Sequence, residues 1–301
     1  MPDRRHHIPA DLRSQSQTYQ IIKSVTWLRQ KPSRQGAIDS QLLFGEVFEV
    51  FDQHNNWVFG QVGPYVSGSK FKGYVGWVKR TDVSPLAPPK DKGPFYRVRV
   101  LRAPLFARAN IKRPFVRQGL EGGLCLNAKI RVEDKVRGHD GTEFYKLEAL
   151  NAYIHTKHII SDNVMKDPDF SRPDFAHSDF VSVAEQHMGQ PYVWGGVSSS
   201  GLDCSGLVRS ALRATGRDGP RDADQQETAL GKALPAAQCD SLSDLKRGDL
   251  VFWPGHVGIM QSATHMVHAN AFHMCVESEP LKIAVSRIEK NSGAVRQIKR
   301  L

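Results

Sequence analysis

Residues 201–212 read GLDCSGLVRSAL, preceded by the glycine-rich PYVWGGVSSS of 191–200. Leu207, Val208, Ala211 and Leu212 fall at i, i+1, i+4 and i+5, one apolar face of an α-helix, and Gly216 supplies a C-terminal stop. Asp203 or Ser205 is the side chain that caps such a start. Cys204 therefore sits on the first helical turn, where two readings compete. It is either a small buried apolar residue or a nucleophile whose thiolate is favoured by free backbone N–H groups and the helix dipole. In the second reading the same N–H groups can hold an oxyanion.

A thiolate nucleophile requires a base, and the base requires an orienting partner. Downstream, RGDLVFWPGHVGIM (247–260) places His256 after a Pro-Gly turn at the start of an apolar strand. His268 follows in HMVHANAF (265–272), twelve residues later, a spacing that suits two adjacent antiparallel strands joined by a tight turn. That arrangement sets the two imidazoles side by side. The ordered set of Cys-helix, His-strand and His-strand favours the catalytic reading. HMVHANAFHMC (265–275) also holds His265, His268, His273 and Cys275, but their spacings repeat no zinc pattern and a strand would scatter them over two faces. No metal and no cofactor are expected.

The bulk composition agrees with an ordinary globular enzyme. At 301 residues, 40% hydrophobic and 24% charged, the chain is long enough for two or three domains. No run approaches the roughly 18 apolar residues of a membrane span. The opening MPDRRHHIPADLRSQSQ (1–17) lacks the apolar core of a secretory signal, so a cytoplasmic protein with no membrane association is expected. Cys125, Cys204, Cys239 and Cys275 form no CxxC pair, which argues against a disulfide scaffold. The net charge of +10 lies wholly before residue 170: 27 basic and 17 acidic residues there, against 14 of each in 170–301. The basic residues alternate with apolar ones and do not cluster, so a solvated surface is favoured over nucleic-acid binding. No obligate protein partner is indicated.

Proline-rich breaks at SPLAPPKDKGPF (84–95) and KDPDFSRPDF (166–175) divide the chain. Before the first lie short alternating strands: GEVFEVF (45–51), NWVFGQV (56–62) and GYVGWVK (73–79). Between the breaks lie YRVRVLR (96–102), KIRVEDKV (129–136), EFYKLEAL (143–150) and NAYIHTKHI (151–159). Both sets contain a Leu-Arg pair near the start (Leu28-Arg29, Leu101-Arg102), which suggests a degenerate repeat of two small β-barrels. The last segment opens with a helical pattern, HSDFVSVAEQHMG (177–189). Strands are expected at DLVFWPG, HVGIMQSA and HMVHANAF, and a further one at KIAVSRIE (282–289), giving an α+β domain.

The motifs WLRQKPS (27–33), DSQLLFGEVFEVF (39–51), NWVFGQV and GYVGWVK resemble bacterial SH3-like domains. PYVWGG, DCSGLV, GDLVFW, GHVGIM and VHA, in that order, are similar to the NlpC/p60 family of papain-like cysteine peptidases. The resemblance implies a polar N-terminal arm at 1–17, an SH3-like barrel at 18–86, a degenerate second barrel at 94–164 and a papain-like NlpC/p60 domain at 172–301. It implies Cys204 as nucleophile, His256 as base and His268 as the residue orienting it. Tyr192 would face the site through its hydroxyl, while Asp203 and Ser205 would hold polar ends of the substrate. Members of this architecture cleave the bond from the γ-carboxyl of D-glutamate to a diamino acid in murein peptides that carry a free N-terminal L-alanine. Glu46 and Tyr74 are the residues expected to read that amine. An N-blocked substrate would leave such a carboxylate unpaired, at about 3 kcal/mol or more. Two other classes are weighed beside this: an amidase or acyltransferase on other amides or esters, and a non-catalytic wall-peptide-binding protein.

Overall fold

The computed structural model describes residues 3–14, 16–64, 71–86, 95–165 and 179–301. Most of the first proline-rich break and all of the second lie outside the described residues. The chain divides into two compact units, Met1–Arg172 and Pro173–Leu301.

In the first unit, seven antiparallel strands form one sheet in the order 38–43, 25–29, 75–79, 57–62, 47–54, 17–21, 83–85. Alternation sets which side chains face inward. In Val47–His54 the core takes Phe48 and Val50, and in Trp57–Val62 it takes Val58 and Val62. Their partners inside are Tyr19, Ile21, Leu28, Leu42, Val78 and Val83. Tyr74 and Glu46 both belong to this module, at 4% and 5% exposure. The N-terminal arm lies against it: Arg4 grips Asp39 with two hydrogen bonds of 2.9 and 3.0 Å, and the His6 ring stands edge-on to Tyr74 at 5.2 Å.

The second half of this unit is built from three smaller sheets around Val98, Leu105, Leu120, Leu124, Ile130, Leu147 and Ile154. YRVRVLR does not run as one strand; it breaks into Tyr96–Val98 and Arg102–Ala103. The two halves are fused through LLFGE. Phe44 leaves the first module to join the second core, and its carbonyl accepts from Lys129 N at 2.9 Å. Ser24 Oγ donates to the Gly123 carbonyl at 2.7 Å. Gly45 is required at this crossing: its φ is +78°, and a Cβ would run into the Lys129 carbonyl.

The second unit packs helices on a six-stranded antiparallel sheet, in the order 232–233, 297–300, 250–253, 256–260, 265–270, 275–280. Helix Phe180–Gln186 starts on Asp179, whose carboxylate accepts from Val181 N, and helix Cys204–Ala214 follows the glycine-rich run. One expectation is corrected. KIAVSRIE is not a strand but the middle of helix Leu281–Ser292. Leu281, Ala284 and Ile288 are buried at i, i+3 and i+7 beside Trp253, Met266 and Ile298, whereas strand alternation would have hidden Ile283, which is 60% exposed. The neighbouring strand is Cys275–Pro280, and Pro280 occupies the helix N-cap.

Because Gly45 carries the fusion of the two modules, Gly45→Ala is expected to destabilise the protein by more than about 1 kcal/mol. Urea denaturation would show this as a lower midpoint; an unchanged midpoint would remove the close approach at Lys129 as a constraint.

Candidate active site

Helix Cys204–Ala214 is fixed at its start by one carboxylate. Asp203 Oδ1 caps Gly206 N at 2.7 Å, and Oδ2 accepts from Gly195 N at 2.9 Å. Arg221 clamps both oxygens, at 3.0 and 2.6 Å, and Ser205 Oγ also reaches Oδ1 at 3.2 Å. Arg221 bonds Ser205 Oγ at 3.0 Å, and Gln226 Nε2 holds the Ser205 carbonyl at 2.9 Å. Asp203 and Ser205 are thus committed to partners within the domain. The direct substrate contact expected of them would have to displace one of these bonds.

Gly196 and Gly206 make this packing possible. A Cβ on either would meet backbone, that of Gly201 in the first case and of Gly196 in the second. The effect is to bring PYVWGG against the helix start, with a bridge from Tyr192 to Leu202.

Cys204 is 7% exposed. Its Sγ lies 4.0 Å from the Gly255 carbonyl and receives the backbone N–H groups of Val257 and Ser205. The flanks of His256 therefore both reach the sulfur. Strand His256–Met260 lies beside His265–Asn270, with Ile259 opposite Val267. His256 Nε2 and His268 Nδ1 are 2.8 Å apart, so the side-by-side imidazoles expected from the spacing are present. No local sequence pattern points to what lies beyond. His268 Nε2 is 2.7 Å from Glu279 Oε1, and the same oxygen accepts from Arg287. Alternation in CVESEP (275–280) does not mark Glu279, since it shares its strand face with the half-buried Cys275 and Glu277 and not with the buried Val276.

Electrostatics in this pocket run against the helix-dipole expectation. Burial, reinforced by the Asp203 charge, pushes the Cys204 thiol up to about 12, outweighing the backbone N–H groups of Val257 and Ser205. Burial pushes His256 down to about 3, with the His268 and Arg287 charges adding to it. The resting pair is therefore neutral: thiol beside imidazole. Burial and the Cys204 and Asp203 charges also hold Tyr192 up at about 12, so its hydroxyl keeps its proton and serves as a donor.

Glu46 and Tyr74 sit within the first unit. Glu46 Oε2 accepts from Leu43 N at 2.9 Å, tying the LLFGE turn, and Tyr74 is part of the module's apolar core. Of the histidine-rich run, His265 is exposed and pairs with Thr264. Among the described residues, His268, His273 and Glu279 bring possible ligand atoms within 4.8 Å of one another, but the Arg287 guanidinium already occupies that carboxylate oxygen.

Residues 189–287 match the NlpC/P60 family, and residues 28–67 match the bacterial dipeptidyl-peptidase Sh3 domain. The gamma-D-glutamyl-L-lysine dipeptidyl-peptidase of Bacillus subtilis (strain 168) is 27% identical over 268 residues, covering 86% of this chain and 81% of that protein. The protein of the same name from Bacillus cereus (strain ATCC 10987 / NRS 248) is 23% identical over 271 residues, covering 87% and 75%. In fold, the chain resembles the crystal structure of an NlpC/P60 family protein from Bacillus cereus ATCC 10987, with a TM-score of 0.68 at 20% identity over 94% of this chain and 99% of that one. With a cysteine on a capped helix start and two hydrogen-bonded histidines on adjacent strands, residues 189–287 carry an NlpC/P60 domain of the cysteine-peptidase type, preceded at 28–67 by a bacterial dipeptidyl-peptidase SH3 domain.

Proposed function

We propose that this peptidase hydrolyses the γ-D-glutamyl–diamino acid bond of free murein stem peptides beginning with L-alanine. The observation that carries this reading is the alignment of both modules, in the same order, with two relatives named gamma-D-glutamyl-L-lysine dipeptidyl-peptidase. Peptidoglycan-derived peptide is the substrate class; cleavage at D-glutamate and a place in the recycling of released wall peptides in the cytoplasm are the finer parts of the proposal. Among the described residues no helix is long and apolar enough to cross a membrane.

In this mechanism Cys204 is the nucleophile and His256 the base. As the γ-carbonyl carbon is attacked, the S–H proton passes to His256 and the C–S bond forms. The tetrahedral oxyanion is received by backbone N–H at the helix start and by the Tyr192 hydroxyl. His256 then returns the proton to the amine of the diamino acid as the C–N bond breaks, leaving L-Ala-D-Glu as a thioester on Cys204. Water, deprotonated by His256, releases the dipeptide and restores the thiol. His268 orients His256 throughout. Because the resting pair is neutral, the charge-separated form is a minor population in the free enzyme and is favoured once the substrate supplies an oxyanion to balance the imidazolium.

Incubation with L-Ala-γ-D-Glu-meso-diaminopimelate should release L-Ala-D-Glu, identified by mass spectrometry, and Cys204→Ala should abolish it. Absence of the dipeptide, with Cys204-dependent deacylation of some other amide or ester, would assign the enzyme to the amidase or acyltransferase class instead.

The pH dependence follows from His256. Its proton affinity lies far below the ordinary 6.5, at about 3, so the imidazole stays neutral as pH falls through the usual histidine range. The expected kcat/KM profile is flat from about pH 7 to about pH 5; a loss centred near 6.5 would show an ordinary, solvated base.

Amine recognition is assigned to Glu46 and Tyr74. N-acetylated substrate should be turned over at least about tenfold less efficiently, and Glu46→Gln should raise KM for the free-amine peptide alone. A lowered melting temperature with KM unchanged would leave Glu46 as a clasp for the LLFGE turn only.

A further inference from the structure

His268 is wholly buried, and each ring nitrogen has a partner. In the register of the two strands His268 stands opposite Glu277, so Glu279 is its diagonal neighbour two residues along the same face, within reach of a long side chain. Arg287, in the second turn of helix Leu281–Ser292, bonds the same carboxylate oxygen and stacks over Phe272 at 4.4 Å. Burial would raise Glu279, but the hydrogen bond from His268 and the charges of His268 and Arg287 hold it below the ordinary carboxylate range. Glu279 is therefore ionised and can only accept.

That acceptor decides the protons of both rings. A bare His268 Nε2 would set lone pair against lone pair at 2.7 Å, so Nε2 carries the hydrogen and donates to Glu279. His268 Nδ1 is then bare and accepts from His256 Nε2, 2.8 Å away. His256 is left with an unprotonated Nδ1. Asn270 Oδ1 accepts from His273 N at 2.8 Å, which turns its Nδ2 to within 3.1 Å of His268 Nε2, where it meets a protonated nitrogen and makes no hydrogen bond.

We propose that Glu279, pinned by Arg287, is a positioning residue for catalysis: it fixes the tautomer of His268 and, through it, presents His256 Nδ1 as the base. This rests on the reading of Cys204 and His256 as nucleophile and base. The charged and titratable groups acting on the two rings are His268, Arg287 and Glu279 on His256, and Glu279, Arg287 and His273 on His268, with the Cys204 thiol at the carbonyl of Gly255, the residue before His256. Of these, Glu279 is the fixed carboxylate that favours the imidazolium formed when Cys204 gives up its proton. Arg287 opposes it, while holding the carboxylate in line.

Two measurements test this, and neither needs a wall peptide, so they stand apart from the substrate assignment. In the wild-type protein labelled with 15N-histidine, NMR at pH 7 should show the neutral Nε2–H tautomer at both His256 and His268; an Nδ1–H tautomer at His268 overturns the proposal. The second is the rate at which iodoacetamide alkylates Cys204, followed by mass spectrometry across pH. Each pKa unit of basicity lost from the histidine pair lowers the thiolate–imidazolium population tenfold. Glu279→Gln should accordingly slow alkylation by about tenfold, whereas Glu279→Asp, which keeps the charge, should stay nearer the wild-type rate. An unchanged rate in Glu279→Gln, or equal losses in the two variants, would reduce Glu279 to a packing role.

Discussion

The catalytic unit depends on a buried ion pair, Asp203 with Arg221, before it depends on the cysteine. One carboxylate caps the helix, holds the glycine-rich run through Gly195 N and neutralises a guanidinium that is itself 2% exposed. Neither charge could remain in this interior alone. Because its partners come from three segments (195, 206 and 221), the pair converts local helix capping into tertiary placement of the next residue. That residue is Cys204. A helix start offers anion-stabilising N–H groups anywhere it occurs; here the pair sets which wall of the pocket those groups face.

The same burial that makes the ion pair necessary governs the chemistry beside it. The dipole of helix Cys204–Ala214 favours a thiolate, but removal from water disfavours it more, and the imidazole is disfavoured as a cation for the same reason. A neutral resting pair protects the sulfur from oxidants and metals that prefer thiolate. Under the proposed mechanism it also places the electrostatic stabilisation in the transition state, where an oxyanion, an imidazolium and the Glu279 carboxylate coexist, and not in the ground state.

Much of this was legible in the residues, and what was not has a physical cause. DCSGLV, GHVGIM and VHA each carry their placement in a local pattern: a cap, a turn, an alternating strand. Glu279 carries none, because a carboxylate in VESEP reads as solvated until the strand register shows which face it takes. KIAVSRIE misled because three β-branched residues in eight suggest a strand, and only the burial of Leu281, Ala284 and Ile288 reveals the helical period. In the first unit, alternation located the strands at 47–54, 57–62 and 75–79, but strands 17–21 and 83–85, paired with each other at one side of the sheet, are short and carry few apolar residues. The roles of Glu46 and Tyr74 came from resemblance alone; local pattern shows them only as a turn clasp and a core aromatic.

The crossing of Phe44 into the neighbouring core has a consequence for how this protein could have arisen and how it could be cut. A module that lends a large aromatic to its neighbour has a hole of matching shape in that neighbour and an exposed ring of its own once the two are parted. Residues before and after the first proline-rich break thus cannot be exchanged as independent cassettes, as tandem domains often are. Recombination at that boundary would have to bring a matching socket with it, so the pair is inherited, and degraded, as one object.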